Sequence, residues 1–126
     1  MAAALLFVAP LHADIVSLSF GTEFSGGTPP EGAAPWMTLT FEDGPSAGTV
    51  AITIDNSGLV DAEFLTGLYL NLDATFDVGS VVISPVAQVG TFTLPTVAQS
   101  PDAYKAGGDG KYDILMKFAA KEADRF

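Results

Sequence analysis

Apolar and polar residues alternate along most of the chain with a period of two. In the segment 14–20, for example, Val16, Leu18 and Phe20 fall on one face, while Ser17 and Ser19 fall on the other. This alternation is typical of half-buried β-strands, in which successive side chains point to opposite faces of a sheet. The clearest segments of this kind are 14–20, 36–42, 48–55, 68–73 and 111–118, and weaker ones lie at 79–84 and 90–94.

Turn-forming sequences separate these segments. Glycine, proline, asparagine and aspartate cluster at 26–30, 43–45, 56–58 and 107–110, where they favour chain reversal. No stretch before residue 119 has the apolar period of an amphipathic helix. The sequence therefore predicts an all-β domain over residues 14–118, an antiparallel β-sandwich or jelly-roll-like sheet pair of about seven short strands. Residues 119–126 are interpreted as a C-terminal tail, truncated at its end.

The first residues have a different pattern. Residues 1–11 contain no polar or charged side chain, and His12 and Ala13 precede the first charged residue, Asp14. Such a run is too short to span a membrane, which takes roughly 20 residues, but it matches the apolar region of a secretory signal peptide. We therefore expect residues 1–13 to be a signal peptide that lacks its basic region, and the exported chain to begin at Asp14. A buried first strand is the alternative.

Charge narrows the range of partners. The chain has 15 acidic and 5 basic residues, a net charge of −10, and every base lies at or after Lys105. Nucleic acids and anionic membrane surfaces attract basic proteins, so we expect neither as a partner. We also expect no direct membrane insertion of the mature fragment. The sequence has no cysteine, which excludes disulfides, thiol nucleophiles and cysteine-based zinc sites.

Three aspartates flank a glycine-rich loop and are candidate calcium ligands. Asp102, Asp109 and Asp113 surround the segment 107–110. Calcium takes six to eight oxygen ligands, many of them carboxylates, in flexible loops. The same Asp-Gly sequence between two strands is also a strong signal for a plain hairpin turn. The sequence leaves both interpretations open.

Tyr69, Asn71 and Asp73 are the candidate ligand-binding residues. They alternate along the predicted strand 68–73 and would share its polar face. An aromatic ring beside amide and carboxylate oxygens suits contact with a sugar, so this face predicts carbohydrate binding. An ordinary exposed tyrosine is the alternative. Trp36 could also stack on a sugar ring, or it could pack in the core at the start of its strand.

Residues suited to catalysis are sparse. His12 is the only histidine and is lost with the predicted signal peptide, so the usual base that activates a serine nucleophile is missing. Asp61 and Glu63, two positions apart on a strand, would stand about 6.5 Å apart, near the separation used by inverting glycosidases. Solvated acids at a strand end are the alternative. We expect a protein that is not an enzyme, and a carboxylate-based hydrolase is the weaker hypothesis.

Two segments carry a family resemblance: residues 101–118, with the sequence PDAYKAGGDGKYDILMKF, and residues 63–73, with the sequence EFLTGLYLNLD. Over roughly residues 14–118 the chain resembles the PEP-CTERM class of exported bacterial proteins, which are sorted by an exosortase. The resemblance implies a secreted β-rich protein on the surface or in the extracellular matrix of a Gram-negative bacterium that makes biofilm polysaccharide. It implies no catalytic residues.

The resemblance also bears on partners. Extracellular polysaccharide is the implied partner, and binding to it could be calcium-dependent. The C-terminal sorting tail of the class is absent from these 126 residues. A sorting protease is therefore an expected partner only if such a tail lies beyond Phe126. The principal hypothesis is a non-enzymatic surface or matrix protein, and a carbohydrate-binding module is the alternative.

Overall fold

Six antiparallel strands form two three-stranded sheets in this computed structural model, which describes residues 14–24, 26–108 and 110–126. The predicted signal peptide and Asp109 lie outside the described residues. The first sheet has the order β1-β2-β3 and the second has the order β4-β6-β5. The strands are β1 (Ile15–Phe20), β2 (Met37–Asp43), β3 (Val50–Asp55), β4 (Gly67–Leu70), β5 (Thr96–Lys105) and β6 (Lys111–Lys117).

The predicted all-β pair of antiparallel sheets is confirmed, with six strands in the described residues in place of about seven. Two short 3₁₀ turns, Val78–Ser80 and Glu122–Asp124, are the helical elements of this part of the chain. Over the same residues, no helix has the length and apolar character that crossing a bilayer would require.

The two sheets enclose one apolar core. Its centre is Leu39 on β2, with 0% of its surface exposed. Met37 of the same strand joins it from the first sheet, and Leu68, Met116 and Phe118 join it from the second sheet and its end. β2 and β6 are therefore half-buried strands, as their alternating pattern predicts, because every second residue enters the core.

The C-terminal segment packs against this core. The Phe126 ring stacks on the Phe118 ring, with centroids 5.1 Å apart, and lies 4.7 Å from the ring of Phe92. The Arg125 guanidinium lies over the Phe64 ring, 4.0 Å from its centroid. Residues 119–126 therefore form part of the packed structure.

Three of the predicted strands need correction. The segments 79–84 and 90–94 form no strand, and Val82 is 88% exposed. The first begins in a 3₁₀ turn capped by Asp77, whose carboxylate accepts a hydrogen bond from the Gly79 amide at 3.0 Å. The predicted strand 68–73 ends at Leu70. Conversely, the structure has a strand that the apolar pattern does not predict, the 10-residue β5.

The apolar face of β1 is more exposed than its pattern predicts. Val16 is 54% exposed, Leu18 is 46% exposed and Phe20 is 39% exposed. In register these three residues lie beside Phe41, Leu39 and Met37 of β2. The buried side chains of the first sheet lie on β2, so β1 extends that sheet beyond the core that the two sheets share.

Trp36 lies where two loops approach each other closely. Its indole N–H donates to the Gly32 carbonyl at 2.8 Å, and the ring is half-buried outside the central core. A Cβ added at Gly58 would overlap the Pro35 carbonyl oxygen and lie 2.8 Å from the Trp36 Cα. The close approach of these backbones therefore requires glycine at position 58. Trp36 lies at this close approach and outside the cleft described below.

Candidate functional site

A polar cleft lies where the chain leaves β4 and crosses the irregular middle of β5. Its volume is about 400 Å³. It is lined by one segment after β4, one pair of residues on β5 and one residue of β6, namely Asn71, Leu72, Asp73, Ala74, Phe76, Asp77, Val78, Pro101, Asp102 and Asp113. Members of both predicted sites, for ligand and for metal, therefore line the same cleft.

The Asp113 carboxylate joins two walls of this cleft. Its Oδ1 accepts a hydrogen bond from the Asp102 amide at 2.9 Å, and its Oδ2 accepts one from the Leu72 amide at 3.0 Å. These two bonds, the Asp102 bond first, hold the pKa of Asp113 below its ordinary value of 3.8, since they favour the charged form. A residue on β6 thus fixes both the end of β4 and the bend in β5.

The bend in β5 places Asp102 in the cleft. Pro101 removes a ladder donor from this edge strand, and the register with β6 shifts between Gln99 and Tyr104. Asp102 itself has a φ of +50°, a left-handed conformation that aspartate tolerates better than most residues. The irregularity turns the Asp102 amide toward the Asp113 carboxylate.

The other cleft carboxylates belong to local turns. Asp73 Oδ1 accepts from the Thr75 hydroxyl at 2.7 Å and from the Thr75 amide at 2.9 Å. The hydroxyl and then the amide lower the pKa of Asp73. Asp77 caps the following 3₁₀ turn. Both side chains are exposed, so a bound molecule could reach their oxygen atoms.

Gln99 attaches the turn behind the cleft to β5. Its side-chain amide donates to the Val81 carbonyl at 2.9 Å and to the Val78 carbonyl at 3.2 Å. Val78 is buried beneath the cleft, with 6% of its surface exposed. Sequence reasoning missed this role, because a lone glutamine in an unpredicted strand carries no recognisable signal.

Phe76 supplies the aromatic surface of the cleft. Its side chain is 66% exposed and lies among the polar lining residues. Tyr69, the aromatic residue predicted for ligand contact, does not line the cleft; its half-buried ring lies 5.6 Å from that of Tyr112. Because β4 ends at Leu70, Asn71 and Asp73 leave the strand and enter the cleft without Tyr69.

The structure brings Asp102 and Asp113 together, and Asp109 lies outside the described residues. In the described part of the chain no group of three or more histidine, cysteine, aspartate or glutamate side chains is arranged to hold a metal ion. The contact that is present between Asp102 and Asp113 is a hydrogen bond from a backbone amide to a carboxylate.

The predicted strand arrangement of Asp61 and Glu63 is wrong. These residues lie in a loop between β3 and β4, and Asp61 has a φ of +53°. Glu63 accepts hydrogen bonds from the Glu31 amide at 2.6 Å and the Val60 amide at 2.9 Å. Its carboxylate therefore ties two loops together, and the strand spacing on which the hydrolase hypothesis depended is absent.

Comparison with protein-family models, with curated proteins and with solved structures found no match to this chain.

Proposed function

We propose that this protein is a non-enzymatic, exported surface or matrix protein of a Gram-negative bacterium, of PEP-CTERM type, and that its polar cleft binds a neutral carbohydrate. The observation that supports binding is the cleft itself, in which amide and carboxylate oxygens lie beside the exposed Phe76 ring. The pattern of residues 1–13 supports export.

The chemistry of the cleft favours a neutral sugar. Asn71, Asp73 and Asp102 offer oxygen acceptors for sugar hydroxyls, and Phe76 offers an apolar ring for the C–H face of a sugar. Four aspartates, Asp113 and Asp77 among them, line the cavity, so an anionic sugar would meet repulsion. Neutral glycans are therefore the expected ligands.

Replacing Phe76 by alanine should weaken binding to a neutral oligosaccharide roughly 2- to 10-fold, because an aromatic contact contributes about 0.5–1.5 kcal/mol. Isothermal titration with neutral and acidic oligosaccharides measures this change. The matched control is Phe24→Ala, which removes an 84% exposed phenylalanine outside the cleft and should leave affinity unchanged. No saturable binding to any neutral glycan, or equal losses in both variants, would contradict the proposal.

Calcium-dependent binding at the same cleft is the second candidate, because Asp102 and Asp113, two of the three candidate calcium ligands, both line it. The titrations and a thermal melt are therefore repeated in millimolar calcium and in chelator. If Asp102 and Asp113 ligate calcium, the ion raises both the melting temperature and the glycan affinity, since a ligand that binds the folded state stabilises it. Melting and titration curves that change with neither calcium nor chelator would exclude calcium-dependent binding and leave direct binding of the glycan.

Export has its own test. Mass spectrometry of the native protein from its own cells is expected to find an N-terminal peptide that begins at Asp14, because Ala13, two residues after the apolar run, is a small residue suited to signal cleavage. A native protein that retains residues 1–13 would overturn the export proposal, whatever the result of the glycan titrations.

A further inference from the structure

Residues 84–91, with the sequence SPVAQVGT, form an exposed connecting segment between the 3₁₀ turn behind the cleft and β5. Every residue of this segment is exposed, and Val86 and Val89 reach 94% and 98%. Within the described residues, its backbone amides and carbonyls form no hydrogen bond with another backbone group. The Gln88 side chain donates to the Gly90 carbonyl at 3.3 Å. Both the side chains and most of the backbone groups of this segment are therefore accessible to a partner.

The chain is held firmly on both sides of the connecting segment. Before it, the Gln99 side chain donates to the Val81 carbonyl at 2.9 Å, and Ile83 packs against the core. After it, the Thr93 amide donates to the Asp124 carbonyl at 3.1 Å. The segment thus spans two anchored points without packing against the fold, and the anchors do not depend on its continuity.

The composition of the segment selects the kind of enzyme that could cut it. An endopeptidase binds its substrate as an extended chain, so exposed segments without backbone hydrogen bonds are preferred sites of cleavage. Residues 84–91 include no charged and no aromatic side chain, but they include Val86, Ala87 and Val89. A small specificity pocket of the elastase type takes such side chains. An enzyme that cuts after lysine or arginine has no target before Lys105.

We propose that the connecting segment is a cleavage site for endopeptidases with a small apolar specificity pocket, and that cleavage yields a two-fragment protein that stays folded. Water adds across the peptide bond after Val86, Ala87 or Val89. The reaction leaves a carboxylate on that residue and an amino group on the next one.

The loop before β2 also has exposed small residues, Ala33 and Ala34, but its chain is held at close range. The Gly32 carbonyl accepts a hydrogen bond from the Trp36 indole at 2.8 Å, and the Trp36 amide donates to the Phe20 carbonyl at 2.8 Å. These bonds keep the loop from lying extended in an enzyme's active site, so we expect it to be cut more slowly.

Ala47, another exposed small residue, lies in the tight turn between β2 and β3. There the Gly44 amide donates to the Thr49 carbonyl at 2.8 Å, and the Thr49 amide donates to the Ser46 carbonyl at 3.1 Å. Cleavage at Ala47 would require this turn to open first, whereas the connecting segment is already open.

The contacts that cross the cut explain why the two fragments should stay together. All four residues of β4, before the cut, pair with β6, after it. The Asp113 carboxylate accepts the hydrogen bond of the Leu72 amide at 3.0 Å, and Leu39 shares the core with Met116 and Phe118. Separation of the fragments would expose this core to water, which is unfavourable.

Limited digestion of the folded 126-residue chain with elastase tests the proposal. Mass spectrometry should place the first cut after residue 14 at Val86, Ala87 or Val89. In size-exclusion chromatography the two fragments should elute together at the volume of the uncut chain, and they should separate only in denaturant. The far-ultraviolet circular dichroism should keep its β-sheet signal.

Two triple variants test the specificity. The test variant combines Val86→Asp, Ala87→Asp and Val89→Asp, and the matched control combines Ala33→Asp, Ala34→Asp and Ala47→Asp. The test variant should be cut about tenfold or more slowly in the connecting segment, because an apolar pocket does not accept a carboxylate. The control adds the same charge at three exposed small residues elsewhere and should be cut at the original rate. Thermal melts check that both variants are folded.

Several results would overturn the proposal. They are a folded chain that elastase does not cut after residue 14, a first cut there outside the connecting segment, equal slowing in the two triple variants, and fragments that separate without denaturant. None of these measurements involves a glycan, so the result is independent of carbohydrate binding.

Discussion

Replacing Leu39 by alanine is expected to lower the free energy of unfolding by about 2–5 kcal/mol. Leu39 is fully buried between the two sheets, and its truncation removes contacts with residues of both. The surrounding side chains cannot close the resulting space, because Leu68 and Met116 are held on strands of the second sheet. Urea denaturation followed by circular dichroism measures the loss.

Leu18→Ala is the matched control for this prediction. Leu18 lies directly opposite Leu39 in the ladder between β1 and β2, but 46% of its surface is exposed. The same truncation there should cost under about 1 kcal/mol in the same denaturation experiment. Equal losses at the two positions would contradict the packing of the sheets around β2.

Replacing Asp113 by asparagine is expected to destabilise the fold at neutral pH and to weaken carbohydrate binding. The carboxylate accepts one backbone hydrogen bond on each oxygen, from Asp102 and from Leu72. An amide has one acceptor oxygen, so one of the two backbone donors would face an NH₂ group. Both cleft walls would lose their common support. Chemical denaturation at pH 7 and glycan titration measure the two effects.

The unfolding free energy of the same variant should fall less steeply as the pH is lowered. The pKa of Asp113 in the folded chain lies below its ordinary value of 3.8, because the amides of Asp102 and then Leu72 stabilise the charged form. Its contribution to stability is therefore complete above pH 3.8 and is lost as the pH falls through the lower folded pKa. Asp113→Asn removes this contribution, so its unfolding free energy should change less than that of the original chain between about pH 6 and pH 2.

Asp55→Asn serves as the control for charge. The Asp55 carboxylate, whose pKa is also lowered, accepts a hydrogen bond at 2.9 Å from the amide of Ser57, only two residues away. Both variants lose one negative charge, but Asp113 joins segments that are distant in the sequence. A loss of stability at pH 7 that is as large for Asp55→Asn as for Asp113→Asn would contradict the bridging role of Asp113.

The fold was predictable where burial alternates along a strand. β2 and β6 enter the core with every second residue, so their apolar pattern records their structure directly. β5 was not predictable in this way, because it is an edge strand in which no residue is buried, and Pro101 interrupts it. The apolar residues of 79–84 were misleading because they form no strand: Val82 is 88% exposed, while Ile83 packs against the core from an irregular segment.

The site was predictable only in part. Asn71, Asp73, Asp102 and Asp113 were singled out by chemical type, and all four line the cleft. Their grouping depends on the shifted register of β5, which no local pattern indicates. Tyr69 was placed with them because a regular strand was assumed through residue 73, but β4 ends at Leu70. Phe76 was missed because an isolated phenylalanine in a turn resembles many others.

The order of the second sheet has a consequence for how the chain matures. β6 is its middle strand, yet it follows both of its neighbours in the sequence. A chain that emerges N-terminus first from a ribosome or a translocation channel presents β4 and β5 before the strand with which they pair. Until then the core face of β2 stays uncovered, and non-local pairing of this kind is slow. We therefore expect the emerging polypeptide to stay unfolded until β6 is available to complete the second sheet.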